Sequence, residues 1–125
     1  MAITIKRESA ELNIELEKGS TFRHKLTWSA GKKGSELPVD LTGCTAELQV
    51  RASINSTDIL LTLNIENGGL TLYGATGEIE IVIEHLASSS FAWERGVYGL
   101  EVTLANTDVV RLVRGRITAF SEVVR

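Results

Sequence analysis

The sequence predicts an all-β protein: an antiparallel β-sandwich of immunoglobulin-like type, with about eight strands and one short helical turn near residues 86–94. Three observations carry this. Apolar and polar residues alternate with period two through most of the chain. Turn-forming clusters interrupt the runs every 8–15 residues or so, and the one proline, Pro38, falls in the longest loop. Such alternation gives each strand one dry and one wet face, the pattern of antiparallel sheets packed face to face.

In chain order, "MAITIKRESAEL" opens with strand-like alternation and little to cap it, a segment suited to adding to a neighbour's sheet edge. "ELNIELEKG" sets Leu12, Ile14 and Leu16 against Glu11, Asn13, Glu15 and Glu17. "TFRHKLTW" puts Phe22, His24, Leu26 and Trp28 on one face, so His24 reads as a core or core-rim histidine. "CTAELQVR" offers Ala46, Leu48 and Val50, and "DILLTLNIE" offers Ile59, Leu61, Leu63 and Ile65. In "GEIEIVIEH" Ile79, Ile81 and Ile83 oppose Glu78, Glu80 and Glu84. The alternation stops at "HLASSSFAWERG", where a serine N-cap and Gly96 would bracket the helical turn. "VYGLEVTL" resumes it with Tyr98, Leu100, Val102 and Leu104.

The last hairpin is predictable in more detail. Leu100, Val102 and Leu104 are even-numbered, and so are Val110 and Leu112 across the turn. Facing side chains share a face, so the loop around Asn106 has an odd length, three or five residues. Arg111 then lands on the wet face opposite Glu101 or Thr103. Beyond Gly115 the apolar positions become odd, at Ile117 and Ala119, which predicts a re-phasing bulge at that glycine.

No repeat, linker or low-complexity tract divides the 125 residues, so residues 1–125 read as a single β-sandwich domain. Thirteen basic and sixteen acidic residues leave a net charge of −3, which gives no general attraction to nucleic acid or to an anionic membrane. Cys44 is the sole cysteine, so no intrachain disulfide forms, and its place in an apolar-periodic run suits a buried small hydrophobe. His24, His85 and Cys44 show no metal-ligand spacing. There is no G-x-S-x-G elbow, and "GKKGSE" lacks the phosphate-loop spacing. The predicted protein is therefore no enzyme, with no catalytic, metal or cofactor residues and no small-molecule substrate.

What remains is contact surface. Phe91 and Trp93 lie in an irregular segment, where they either plug the open end of the sandwich or join a protein interface. Arg111, Arg114 and Arg116 belong to the "VVRLVRGRITAFSEVVR" run, where they face cross-strand acids or a partner.

The motifs "VDLTGCTAELQVR", "GGLTLYGATGEIEIVIE", "FAWERGVYGLEVTL" and "VVRLVRGRITAFSEVVR" together resemble small β-sandwich proteins of the tail and baseplate modules of tailed bacteriophages. The resemblance spans Val39–Arg125. It implies a non-catalytic structural virion protein, made in the host bacterial cytoplasm, that acts as an assembly or adaptor component of the tail, baseplate or tail-fibre attachment complex. Its implied partners are other virion proteins and copies of itself, in a trimer or hexameric ring. A head decoration or neck protein, or a receptor- or carbohydrate-binding β-sandwich module, is the alternative.

Overall fold

The computed structural model describes the backbone of residues 2–5 and all of residues 10–32 and 34–122. Eleven strands and one short α-helix are formed among them: β1 (Ala2–Ile5), β2 (Ala10–Glu11), β3 (Ile14–Glu17), β4 (Phe22–Ala30), β5 (Leu37–Pro38), β6 (Thr45–Arg51), β7 (Ile59–Asn64), β8 (Leu70–Tyr73), β9 (Glu78–Ile83), α1 (His85–Ser89), β10 (Arg95–Thr103) and β11 (Val109–Phe120).

They make two sheets. One runs β1-β4-β9-β8, with β5 added to β4; the other runs β2-β11-β10-β6-β7, with β3 added to β11. The sheets pack face to face as an immunoglobulin-like β-sandwich. The count exceeds the expected eight because short pieces are added at the edges. All pairings are antiparallel except those of the N-terminal segments: β1 lies parallel to β4, and β2 and β3 lie parallel to β11. One segment thus serves an edge of each sheet. The opening strand, expected to suit a neighbour's edge, lies in register with its own chain, Ala2 opposite Lys25. Residues 6–9, in the same motif, and 123–125, at the end of the last one, lie outside the described residues.

Period two builds the interior. Leu26, Ile79, Ile81 and Ile83 from the first sheet meet Leu48, Val50, Leu100, Val102, Leu112 and Ile117 from the second, all essentially without solvent contact. Each such side chain contributes about 1.5–3 kcal/mol of burial. Cys44 is half-buried against this core, as are Leu12 and Phe22. Ile59 and Ile65, expected inside, are exposed, because they sit at and just beyond the ends of β7, where the chain leaves the sheet.

The β10–β11 hairpin has the odd loop: the Leu104 amide donates to the Asp108 carbonyl, enclosing Ala105, Asn106 and Thr107. Val102 faces Val110 and Glu101 faces Arg111. The bulge, however, is not at Gly115. Leu100 pairs with Val113, so Leu112 is the extra residue, and Leu112 and Val113 both enter the core. Two adjacent apolar side chains drive the re-phasing there.

Gly115 answers a different constraint. The carbonyl of Leu12 crosses directly over it, and a Cβ at that position would lie 2.1 Å from the Leu12 oxygen. Gly96 likewise does not end the helix. It lies in β10, and α1 closes on Ser90, with Glu84 rather than a serine at its N-cap position.

Candidate interaction surface

The outer face of the second sheet holds a shallow trough of about 610 Å³. Its floor is β10, whose odd-numbered residues Val97, Gly99 and Glu101 point away from the core while Tyr98 and Leu100 point into it. One wall is β6, with Glu47, Gln49 and Arg51; the other is β11, with Arg111, Arg114 and Arg116. The cross-strand register that aligns β6 and β11 on either side of β10 therefore places all six side chains around one glycine. Four arginines and three glutamates line the trough, a local balance opposite in sign to the whole chain's −3.

The two walls differ in how far their polar groups are committed. On β6 the side chains are tied in series. Gln49 Nε2 donates to Glu47, Arg51 donates to Gln49 Oε1 at 3.0 Å, and Arg51 also donates to the Ser56 carbonyl at 2.9 Å. On β11, Arg111 pairs with Glu101 at 3.2 Å, an exposed cross-strand pair with one of the two partners, Glu101 or Thr103, that the sequence allows. Such a pair contributes about 0.2–1 kcal/mol. Arg114 and Arg116 are exposed and have no side-chain hydrogen bond or ion pair among the described residues. Glu11 neighbours Arg114 in register without forming one.

The structure thus brings Arg111, Arg114 and Arg116 together and separates them from the aromatic candidates. Phe91 and Trp93 stack on each other with centroids 4.6 Å apart, and they pack half-buried against the core, outside the trough. Their segment is fixed by Ser88, a fully buried serine of α1. Its hydroxyl accepts from the Gly19 amide at 2.9 Å and lies 3.1 Å from the Ser20 carbonyl. The Glu94 carbonyl accepts from the Ala119 amide at 2.8 Å, tying the end of this segment to β11.

His24 is half-buried beside Phe22, and its Nε2 is buried without a hydrogen-bond partner, so burial holds its pKa below the ordinary histidine value. His85 is exposed, with Nδ1 3.4 Å from the Thr21 hydroxyl. Among the described residues no three His, Cys, Asp or Glu side chains gather closely enough to hold a metal ion. No helix there is long and apolar enough to cross a membrane.

Two features escape sequence reading. The gap over Gly99 needs to be known as outward-facing and central before it means anything. Ser88 looks like any serine in "SSS", and only the fold shows which of the three is enclosed.

The same sandwich occurs in solved structures. The N-terminal domain of phage TP901-1 ORF48 is similar over 95% of this chain and 96% of that one, with a TM-score of 0.53 and 10% identity. A chicken TCR is similar over 96% of this chain and 57% of that one, with a TM-score of 0.51 and 8% identity. At such identities the likeness is one of fold. No protein-family model and no curated protein matches the chain.

Proposed function

We propose that the chain is a non-catalytic structural protein of a tailed-phage virion, one β-sandwich unit over residues 1–125 that joins neighbouring subunits in the tail, baseplate or fibre-attachment complex. The observation that carries this reading is the end-to-end agreement with a phage domain, 95% of one chain on 96% of the other. The T-cell receptor chain, by contrast, extends well beyond the shared fold. The motifs over Val39–Arg125 point the same way. A charged trough with two arginines uncommitted among the described residues is a surface suited to a protein contact, and the Phe91–Trp93 stack offers a second, apolar one.

A sugar-binding module is less well supported, because such sites stack ligands on exposed aromatic rings. Among the described residues the trough's aromatic lining is Tyr98, which is buried with its hydroxyl committed to the Leu12 carbonyl.

Light scattering coupled to size-exclusion chromatography should give one defined trimer or hexamer. Antibody labelling of purified virions should fall on the tail. Label on the capsid would shift the assignment to a head protein, and no label on any particle would end the virion reading.

A further inference from the structure

Gly99 is the one glycine whose presence nothing among the described residues explains. Seven of the eleven glycines adopt positive φ, where side chains are strained. Three others admit no Cβ: at Gly69 it would meet Leu63 at 2.6 Å, at Gly96 the Arg51 carbonyl at 2.8 Å, and at Gly115 the Leu12 carbonyl at 2.1 Å. At Gly99 the backbone is ordinary strand, and a Cβ would meet nothing within 4 Å. A glycine in a strand interior is destabilising relative to alanine, so a vacancy in mid-sheet is a standing loss of stability. Strand glycines without an internal reason mark places where something else approaches the backbone.

We propose that the gap over Gly99 is a recognition pit for an extended segment of a partner protein carrying carboxylates at alternate positions, held by Arg114 and Arg116. Three observations converge on that occupant. Gly99 pairs with Arg114 on one side and Gln49 on the other, so the pit is flanked by a cation and an amide. Among the described residues, Arg114 and Arg116 are the two trough arginines with no side-chain hydrogen bond or ion pair, whereas Arg111 is held by Glu101 and Arg51 by Ser56 and Gln49. They stand two residues apart on a strand, about 7 Å, which is the spacing of like-facing side chains on an extended peptide. Guanidinium forks then take the carboxylates in charge-assisted pairs, and the missing side chain at 99 lets the peptide backbone settle onto the sheet. That the occupant is a protein rests on the assembly role proposed above.

The test is a titration followed by amide and arginine Nε–H NMR signals, using a five-residue peptide with glutamate at positions one, three and five and threonine between. The peptide should shift Gly99, Arg114 and Arg116 selectively, and its lysine counterpart should not. Gly99→Val should weaken binding about tenfold or more while leaving the melting temperature unchanged or higher, since valine suits a strand and its Cβ meets nothing within 4 Å. Arg114→Gln with Arg116→Gln should abolish binding, and Arg111→Gln should change it less than about threefold.

The proposal is overturned if the peptide shifts no trough signal at millimolar concentration, or if Gly99→Val binds as the parent does. It is equally overturned if oligothymidylate binds the trough more tightly than the peptide, or if trough signals move only on self-association. This titration needs no oligomer and no virion. A chain that labels tails yet ignores the peptide loses this inference alone, and one that binds the peptide but labels no particle loses the virion role alone.

Discussion

Tyr98 and Gly115 face each other across the β10–β11 pair, and the Tyr98 hydroxyl reaches past the glycine to donate to the Leu12 carbonyl at 2.5 Å. That contact locks the N-terminal segment onto the second sheet. The Leu12 amide donates to the Arg114 carbonyl at 2.9 Å, and Asn13 Oδ1 accepts from the Arg116 amide at 3.0 Å. The segment is therefore clamped beside the very strand that carries the trough arginines.

Gly115→Ala should be among the most damaging single substitutions in the chain. Its Cβ would overlap a backbone oxygen, which cannot rotate away as a side chain does. The expected loss is about 3 kcal/mol. Hydrogen exchange should show the amides of β2 and β3 released first. Tyr98→Phe keeps the ring in the core and removes only the hydroxyl, so it should cost about 1–2 kcal/mol in chemical denaturation. A Gly115→Ala protein with unchanged protection at Leu12 would show that the chain passes the glycine less closely.

Ser88→Ala tests the attachment of α1. Ser88 is fully enclosed, and its hydroxyl serves the Gly19 amide in the β3–β4 turn. Alanine leaves that amide without its partner, at a cost of about 1–3 kcal/mol. Fluorescence of Trp93 should report it before global unfolding, because Phe91 and Trp93 ride on the same segment. Ser89→Ala and Ser90→Ala, at positions that are not enclosed, should each fall within about 0.5 kcal/mol of the parent.

His24 should make stability fall as the pH drops below neutrality. Burial depresses its pKa in the folded state, so between the ordinary value of 6.5 and the lower folded one the unfolded chain binds the extra proton. Stability from this group is complete above pH 6.5 and declines as acid reaches the folded pKa. The buried Nε2 has no acceptor to receive a proton it would gain. Urea midpoints measured from pH 7.5 to 5 should therefore decline for the parent and flatten for His24→Leu. Parallel slopes would mean that the histidine gains a partner on protonation.

The dry faces of the strands were legible in the sequence because burial repeats every second residue and little else produces that pattern. Ile79, Ile81 and Ile83 lie inside as the alternation requires, and Arg111 meets Glu101, one of the two partners that the even-with-even register allows. Local pattern marks Gly115 as a re-phasing residue because interior strand glycines often sit at bulges. Its actual role depends on Leu12, 103 positions away in the chain, and no local pattern encodes that approach. The parallel course of β1, β2 and β3 was equally invisible, since alternation gives the faces of a strand and not its direction. The trough arginines were visible as residues, but their division into engaged and uncommitted needs the positions of Glu101, Gln49 and the Ser56 carbonyl.

Thr107 is the one described non-glycine residue with positive φ, at 76°, and it sits where the three-residue β10–β11 loop needs a left-handed residue. A β-branched side chain is the costliest occupant of that region, at roughly 1–2 kcal/mol. Thr107→Gly should therefore stabilise the protein by about 1 kcal/mol, a rise in melting temperature of about 3–5 °C. Thr107→Asn should recover part of this, because asparagine tolerates the same conformation. The loop's other bonds do not involve the threonine side chain: Asp108 N donates to Asn106 Oδ1 at 2.9 Å, and the Thr107 amide donates to the Leu104 carbonyl. Glycine preserves both, so lost backbone bonding cannot mask the gain. A melting temperature that falls for Thr107→Gly would mean that the threonine side chain makes a contact worth more than its strain.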